Sequence, residues 1–170
     1  MTAIVFAHGL EGSPNGRKIQ ALRGAGLVVE APDGRGQALS ARIAAIEALT
    51  RGRRVVLVGS SYGGLAAAHL AQTYPDRFVG LLLLAPALQR REPPVAEPSS
   101  LRPPRGLPTI VIHGIRDTVV PIEVSRRYVT GSRADFFEVD DDHRLANAQA
   151  LMVSSATRLL QIRDTTLDDI

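Results

Sequence analysis

The segment Gly59–Gly63 combines a central serine with flanking glycines. Its sequence is Gly-Ser-Ser-Tyr-Gly, so Ser61 has a glycine two positions away on each side. The segment follows an apolar run and precedes an alanine-rich one, which predicts a strand, a sharp turn and a helix. Larger side chains at the flanking positions would collide across such a turn. We therefore predict that Ser61 is a nucleophile and that Ser60 packs inside. The alternative is a strand-to-helix turn without chemistry.

A serine hydroxyl needs a neighbouring base to become a good nucleophile. The chain offers four histidines: His8, His69, His113 and His143. We predict that His143 is the base, because it follows the last predicted strand. It also comes last in the chain order serine, acid, histidine, which is the order required in the fold that contains such a turn. The other three are expected to be structural. His8 would support the loop after the first strand, His69 would lie in a helix, and His113 would be buried at a strand end.

The acid that orients the histidine is predicted to be Asp117. It lies in the segment Gly114–Pro121, just past a predicted strand, and carboxyl ends of parallel strands face the crevice where ligands bind. Asp33 is an alternative, although its Pro-Asp-Gly turn is a common structural place for aspartate. The run Asp140–Asp142 is a second alternative, because it is close to His143 in sequence. Its simplest interpretation is a solvated loop.

Two backbone N–H groups are needed to stabilise the oxyanion that forms during acyl transfer. We predict that one belongs to Tyr62, directly after the nucleophile. The other is assigned to Leu10, in the glycine-containing loop His8–Ser13 that follows the first predicted strand.

The elements that must position these groups alternate between strands and helices. Short apolar runs bounded by glycine, proline or aspartate predict buried parallel strands at Ala3–Ala7, Leu27–Ala31, Arg54–Val58, Val79–Leu84, Thr109–His113 and Asp135–Val139. Helical patterns lie between them, at about Gly16–Arg23, Ala38–Arg51, Tyr62–Tyr74 and Ile122–Val129, and from Leu145 to Ile162. This alternation predicts an α/β fold with helices on both faces of a parallel sheet. We expect one domain over residues 1–162 and a tail at 163–170.

Composition excludes several classes of function. The net charge is +3, and the basic residues form no long run with interleaved aromatics, so we predict no nucleic-acid partner. The chain has no cysteine, which excludes disulfides, thiolate metal sites and a cysteine nucleophile. No apolar stretch is long enough for a signal segment or a membrane span, so a cytoplasmic protein without a membrane partner is expected.

Five features in chain order resemble the α/β-hydrolase superfamily over nearly the whole sequence. They are His8–Gly9, Asp33–Gly36, Gly59–Gly63, Gly114–Pro121 and His143. The set is most similar to small bacterial hydrolases without a lid, since His8–Pro14 and Asp142–Leu145 are also similar to members of that group.

The resemblance implies a minimal form of the fold. It predicts a three-layer sandwich with a six-stranded parallel sheet in the order 2-1-3-4-5-6, without the two N-terminal strands of larger members. The usual lid position, Gln89–Pro108, is short and rich in proline. We therefore expect an open groove at Ser61, edged by a loop that tolerates change. Relatives more often have glycine before the catalytic histidine, where this chain has Asp142.

The activity that the resemblance implies is hydrolysis of a carboxylic ester or thioester through an acyl-enzyme on Ser61, Asp117 and His143. Amide hydrolysis, perhydrolysis and cofactor-free lyase chemistry are related activities of the same residues. A non-catalytic binding protein that keeps the fold is the alternative from another class. No metal or organic cofactor is implied, and the expected partner is a small-molecule acyl substrate.

Overall fold

The centre of the protein is a sheet of six parallel strands in the order β2-β1-β3-β4-β5-β6. The computed structural model describes residues 2–162 of the chain. The strands are β1 (Ile4–Ala7), β2 (Val29–Glu30), β3 (Val55–Ser60), β4 (Phe78–Leu84), β5 (Thr109–Gly114) and β6 (Asp135–Val139). The predicted parallel sheet and its strand order are confirmed. Because all strands run the same way, the loops after their carboxyl ends meet at one edge.

Helices cover both faces of the sheet. They are α1 (Arg17–Gly24), α2 (Leu39–Thr50), α3 (Tyr62–Thr73), α4 (Glu123–Val129) and α5 (Gln149–Gln161), with short 3₁₀ turns at Pro75–Arg77, Pro98–Ser100 and Ala146–Ala148. Apolar residues of α2, α3 and α4 pack in one hydrophobic cluster, and those of α1 and α5 pack in a second. Successive strand residues alternate between the two clusters. This explains why the strand sequences are continuously apolar, and it confirms the predicted three-layer sandwich.

Two elements are shorter than their sequence patterns predict. The edge strand β2 has only two residues, and Val28 beside it is exposed, because β2 pairs with β1 alone. Helix α5 begins at Gln149, whereas the apolar pattern begins at Leu145. Leu145 has a left-handed backbone (φ +55°), so the chain enters the helix through a 3₁₀ turn.

The segment 89–108 lacks a cap domain, as predicted, but it is packed more firmly than a tolerant surface loop. Val95, Leu101 and Leu107 are buried in the cluster formed by α2, α3 and α4. The expectation that this segment tolerates change is therefore wrong, because its removal would take three buried side chains out of this cluster and expose the apolar residues they cover to water.

Within residues 2–162, no helix is both long enough and apolar enough to span a bilayer. The tail predicted at 163–170 lies outside the described residues, and the domain extent 1–162 stays a prediction.

Candidate active site

Ser61 occupies a sharp turn between β3 and α3. Its backbone lies at φ +54° and ψ −116°, in a region that L residues rarely adopt. A Cβ added to Gly59 would lie 2.6 Å from the Gly63 carbonyl oxygen, and one added to Gly63 would lie 2.0 Å from the carbonyl oxygen of Ala7. Both flanking positions must therefore be glycine. Gly59 packs across the turn, as the sequence suggests, whereas Gly63 packs against the backbone at the end of β1.

Backbone hydrogen bonds hold the strained turn in place. The Ser61 N–H donates to the carbonyl of Leu84 at 2.9 Å. The Ser61 carbonyl accepts bonds from the N–H groups of Gly64, Leu65 and Ala87. A backbone in this region costs on the order of 1–3 kcal/mol and persists only where its surroundings fix it. These four bonds and the packing of the glycines fix it here.

The structure brings Ser61, His143 and Asp117 into one hydrogen-bonded chain. The Ser61 Oγ lies 3.0 Å from His143 Nε2, and His143 Nδ1 lies 2.7 Å from Asp117 Oδ2. The three residues follow β3, β6 and β5, so parallel strands deliver them to the same edge of the sheet. Residues that are 82 and 26 positions apart in sequence thus form the contacts that a triad requires.

The Asp117 carboxylate is buried and held on both oxygens. Its Oδ1 accepts the N–H groups of Val119 and Val120, each at 2.8 Å, while Oδ2 faces His143. Burial acts to raise the pKa of Asp117, but these hydrogen bonds outweigh it and the net pKa is lowered. Asp117 is therefore ionised at neutral pH, as a carboxylate that steadies an imidazolium must be.

His113 is a second histidine in contact with Asp117, and it is completely buried. Its Nε2 is 3.0 Å from the carbonyl oxygen of Val120 and 3.1 Å from Asp117 Oδ2, and its Nδ1 is 2.7 Å from Ser125 Oγ. Burial lowers the pKa of His113, so the ring is neutral and its Nε2–H donates to Val120 beside the carboxylate. The sequence predicts a buried His113 but misses this contact with the acid. The spacing of four residues between His113 and Asp117 is the one available signal.

The other aspartates have partners of their own. Asp33 forms an ion pair with Arg35, and Asp140 forms one with Arg116. Asp141 is buried, and its carboxylate accepts the backbone N–H groups of Asp142, Asn147 and Ala148. The solvated-loop interpretation of Asp140–Asp142 is thus wrong for Asp141, which fixes the turn that leads into α5.

The loop after β1 is held from beneath by buried polar side chains. His8 Nδ1–H donates to the Gly9 carbonyl at 2.7 Å, and His8 Nε2 accepts the Gly34 N–H at 2.9 Å. The Arg42 guanidinium donates to the carbonyls of His8 and Gly9 at 2.6 and 3.3 Å. Burial lowers the pKa of His8, which keeps its ring neutral. His8 is therefore placed as a support of the loop.

The backbone N–H groups of Leu10 and Tyr62 donate to no acceptor within residues 2–162. Leu10 lies in the turn after Gly9, and Tyr62 is the first residue of α3. A Cβ added to Gly9 would lie 3.4 Å from the Ser61 Cβ, so the loop that carries Leu10 passes close to Ser61. The N–H of Tyr62 belongs to the residue that directly follows Ser61 in the chain.

Glu92 joins the segment 89–108 to the turn. Its carboxylate accepts the Tyr62 O–H at 2.5 Å and the Leu39 N–H at 2.6 Å. The Tyr62 ring also lies between the guanidinium groups of Arg42 and Arg90, at 4.7 and 4.5 Å from its centroid. Burial, with the bond to Glu92, raises the pKa of Tyr62 to about 12, so its hydroxyl stays a donor. No sequence signal indicated Glu92, because its contacts lie 30 and 53 residues away.

Within the described residues, no group of three or more histidine and acidic side chains is arranged to hold a metal ion.

The comparisons with known proteins agree with this architecture. The model of the alpha/beta hydrolase family matches residues 4–168 of the chain. The protein belongs to this family. Among curated proteins, no sequence matches it.

Solved structures of other alpha/beta hydrolases superimpose on nearly the whole chain. One is a hydrolase of the alpha/beta superfamily from Xanthomonas campestris pv. campestris, with 23% identity, a TM-score of 0.77 and coverage of 95% of this chain and 99% of that one. Another is the monoacylglycerol lipase of Paleococcus ferrophilus, with 18% identity, a TM-score of 0.74 and coverage of 93% and 95%. Est1E from Butyrivibrio proteoclasticus, solved with ferulic acid, has 17% identity, a TM-score of 0.75 and coverage of 97% and 90%. These similarities establish the alpha/beta hydrolase fold.

Proposed function

We propose that the protein is a serine hydrolase that cleaves carboxylic esters or thioesters through an acyl-enzyme. The observation that carries the proposal is the chain of contacts from Ser61 Oγ through His143 to Asp117, at 3.0 and 2.7 Å. Membership of the alpha/beta hydrolase family and similarity to a monoacylglycerol lipase support an ester as the first substrate to test.

In the acylation step, each of the three hydrogen-bonded residues has one role. Ser61 Oγ attacks the carbonyl carbon while its proton moves to His143 Nε2, and the carbonyl oxygen becomes an oxyanion. Asp117 stabilises the resulting imidazolium through its bond to Nδ1. The tetrahedral intermediate then collapses, the bond to the alcohol or thiol breaks, and His143 gives the proton to that leaving group.

Deacylation repeats the sequence with water. His143 takes a proton from water as the water oxygen attacks the acyl carbon, and the proton passes to Ser61 Oγ when the acid leaves. The oxyanion of both steps is assigned to the N–H groups of Leu10 and Tyr62. Each of these N–H groups lacks an acceptor in the described chain, and the removal of one such donor costs about 10²–10³ in rate in well-studied hydrolases.

The test is a screen of 4-nitrophenyl esters and acyl thioesters of increasing chain length. We expect hydrolysis by the wild type, none above background by Ser61→Ala, and near wild-type rates by the matched variant Ser60→Ala. Circular dichroism must show that both variants fold. Full activity in folded Ser61→Ala, or selective loss in Ser60→Ala, would refute the proposal.

A further inference from the structure

A cavity of about 280 Å³ adjoins the nucleophile on the side of the Leu10 loop. Its walls include Ser60, which precedes Ser61, and Gly9, where an added Cβ would lie 3.4 Å from the Ser61 Cβ. The cavity is close to the lower end of the size range of small-molecule sites, about 300 Å³. Its size therefore suits one small group of a substrate rather than a long acyl chain.

Three basic residues gather at this cavity. Lys18 and Arg17 come from the first turn of α1, and Arg144 directly follows His143. The same three residues line a narrower cleft beside it. None of the described residues that line the cavity is acidic. His8, which also lines it, is neutral because burial lowers its pKa.

No acidic side chain of the described residues pairs directly with the positive charge in this cavity. Within residues 2–162, none of Arg17, Lys18 and Arg144 forms an ion pair. Asp141 and Asp142 attract Lys18 electrostatically, but neither lines the cavity, and Asp142 Oδ1 accepts the backbone N–H of Arg144. The Asp141 carboxylate is already occupied by three backbone N–H groups.

Lys18 itself is partly buried. Burial, with repulsion from Arg17, lowers the pKa of Lys18. A partly desolvated cation without a partner is costly, and an anion beside it would remove that cost. Ser13 also lines the cavity, and its hydroxyl group can donate a further hydrogen bond to such an anion.

We propose that this cavity, the Lys18 pocket, binds an anionic group of the substrate, a carboxylate or a phosphate, while the ester carbonyl lies at Ser61. The proposal rests on the serine hydrolase function proposed above and adds the substrate class, an ester that carries a negative charge near the scissile bond. Lys18 and Arg144 supply charge-assisted hydrogen bonds, and Arg17 adds long-range attraction.

A binding experiment tests the pocket without any turnover. Thermal unfolding is followed while sodium phosphate or disodium adipate is added, with sodium chloride at matched ionic strength as the reference. Lys18→Gln and Arg144→Gln are compared with the wild type and with Arg51→Gln, which removes an exposed charge at the end of α2.

We expect at least one anion to raise the Tm saturably in the wild type and equally in Arg51→Gln. Its apparent affinity should fall about tenfold in Lys18→Gln, the usual effect of losing one hydrogen bond to a charged group. The anion whose effect on the Tm saturates at the lower concentration shows whether the pocket prefers carboxylate or phosphate. The proposal is overturned if neither anion acts beyond sodium chloride, or if Lys18→Gln responds like the wild type.

An activity experiment links the pocket to the substrate. The first pair is mono-4-nitrophenyl adipate and its neutral methyl ester, and the second is 1-butyrylglycerol 3-phosphate and 1-butyrylglycerol. We expect a higher kcat/KM for the anionic member of one pair, and a fall of about tenfold in that preference in Lys18→Gln but not in Arg51→Gln.

The outcomes separate the two proposals. Hydrolysis of the neutral esters with no preference for an anion, or a preference that Lys18→Gln retains, refutes the anionic substrate and leaves the hydrolase intact. Failure to hydrolyse any of the four esters counts against the hydrolase, while the binding experiment still decides the pocket.

Discussion

His113 Nε2 lies 3.1 Å from Asp117 Oδ2, the same carboxylate oxygen that faces His143 Nδ1 at 2.7 Å. The acid of the candidate triad thus lies between two histidines with different tasks. His143 reaches toward Ser61, whereas His113 is buried and bonded to Ser125 and Val120. We infer that His113 is a positioning residue, which sets the orientation of Asp117.

The first prediction replaces His113. His113→Leu should lower kcat about tenfold. It should also destabilise the fold, because the buried Val120 carbonyl and Ser125 hydroxyl lose their hydrogen-bond partner, and each such loss costs about 1–3 kcal/mol. His113→Gln should recover part of kcat, since its amide N–H can donate to the Val120 carbonyl. The measurement is kcat per titrated active site with a 4-nitrophenyl ester. Wild-type kcat in folded His113→Leu would remove the positioning role.

The second prediction concerns the identity of the acid. Asp117→Asn should keep the shape of the site but favour the wrong imidazole tautomer, and this change in the serine-protease triad costs on the order of 10⁴ in kcat. Asp140→Asn is the matched control, because Asp140 is exposed and pairs with Arg116. Asp141→Asn should lower the unfolding free energy, because the Asp141 carboxylate accepts three backbone N–H groups, and it should leave kcat nearly unchanged. A near-normal kcat in Asp117→Asn would show that another group orients His143.

The third prediction follows from the lowered pKa of Asp117. The folded state binds the Asp117 proton less tightly than the unfolded chain does. Its stabilising contribution is therefore fully present above the unfolded pKa of about 3.9, and it is lost as the pH falls through the folded value. The difference in unfolding free energy between the wild type and Asp117→Asn should be larger at pH 6 than at pH 3, measured by urea titration. A difference that is constant, or grows toward acid, would contradict the ionised buried carboxylate.

The fourth prediction concerns the contact between Glu92 and Tyr62. Glu92→Gln should lower the unfolding free energy by about 1 kcal/mol, because the charge-assisted bonds from Tyr62 and Leu39 become neutral ones and the ion pair with Arg90 is lost. Glu97→Gln is the control, since Glu97 forms only an exposed ion pair with Arg91 and should cost less than about 0.5 kcal/mol. A double-mutant cycle with Tyr62→Phe should give a non-zero coupling energy. Additive effects of the two changes would mean that the contact contributes nothing.

The sequence predicts the parallel strands and the three triad candidates because their signals are local, whereas the order of the strands comes from the resemblance to the α/β-hydrolase superfamily. The turn at Ser61 is marked by glycines that the packing demands, and Asp117 and His143 are marked by their places after strands. The structure adds contacts between residues that are distant in sequence, which local patterns cannot predict. Glu92, for example, meets partners 30 and 53 residues away, and its sequence neighbourhood has only the composition of a loop.

The predicted boundaries of helices and loops are inaccurate for a related reason. The apolar pattern before α5 continues back to Leu145, but the buried carboxylate of Asp141 binds the N–H groups of Asn147 and Ala148 and sets where the turn begins. Periodicity detects which face is apolar, whereas the end of an element depends on which side chain satisfies its free backbone groups.

The measurement that tests the central claim most directly is covalent labelling with a fluorophosphonate, located by peptide mass spectrometry. The account predicts one adduct per chain, on Ser61, with labelling retained in Ser60→Ala, slowed in His143→Ala and absent in Ser61→Ala. A folded wild-type protein that gains no adduct, or gains one at a residue other than Ser61, would contradict the serine hydrolase assignment.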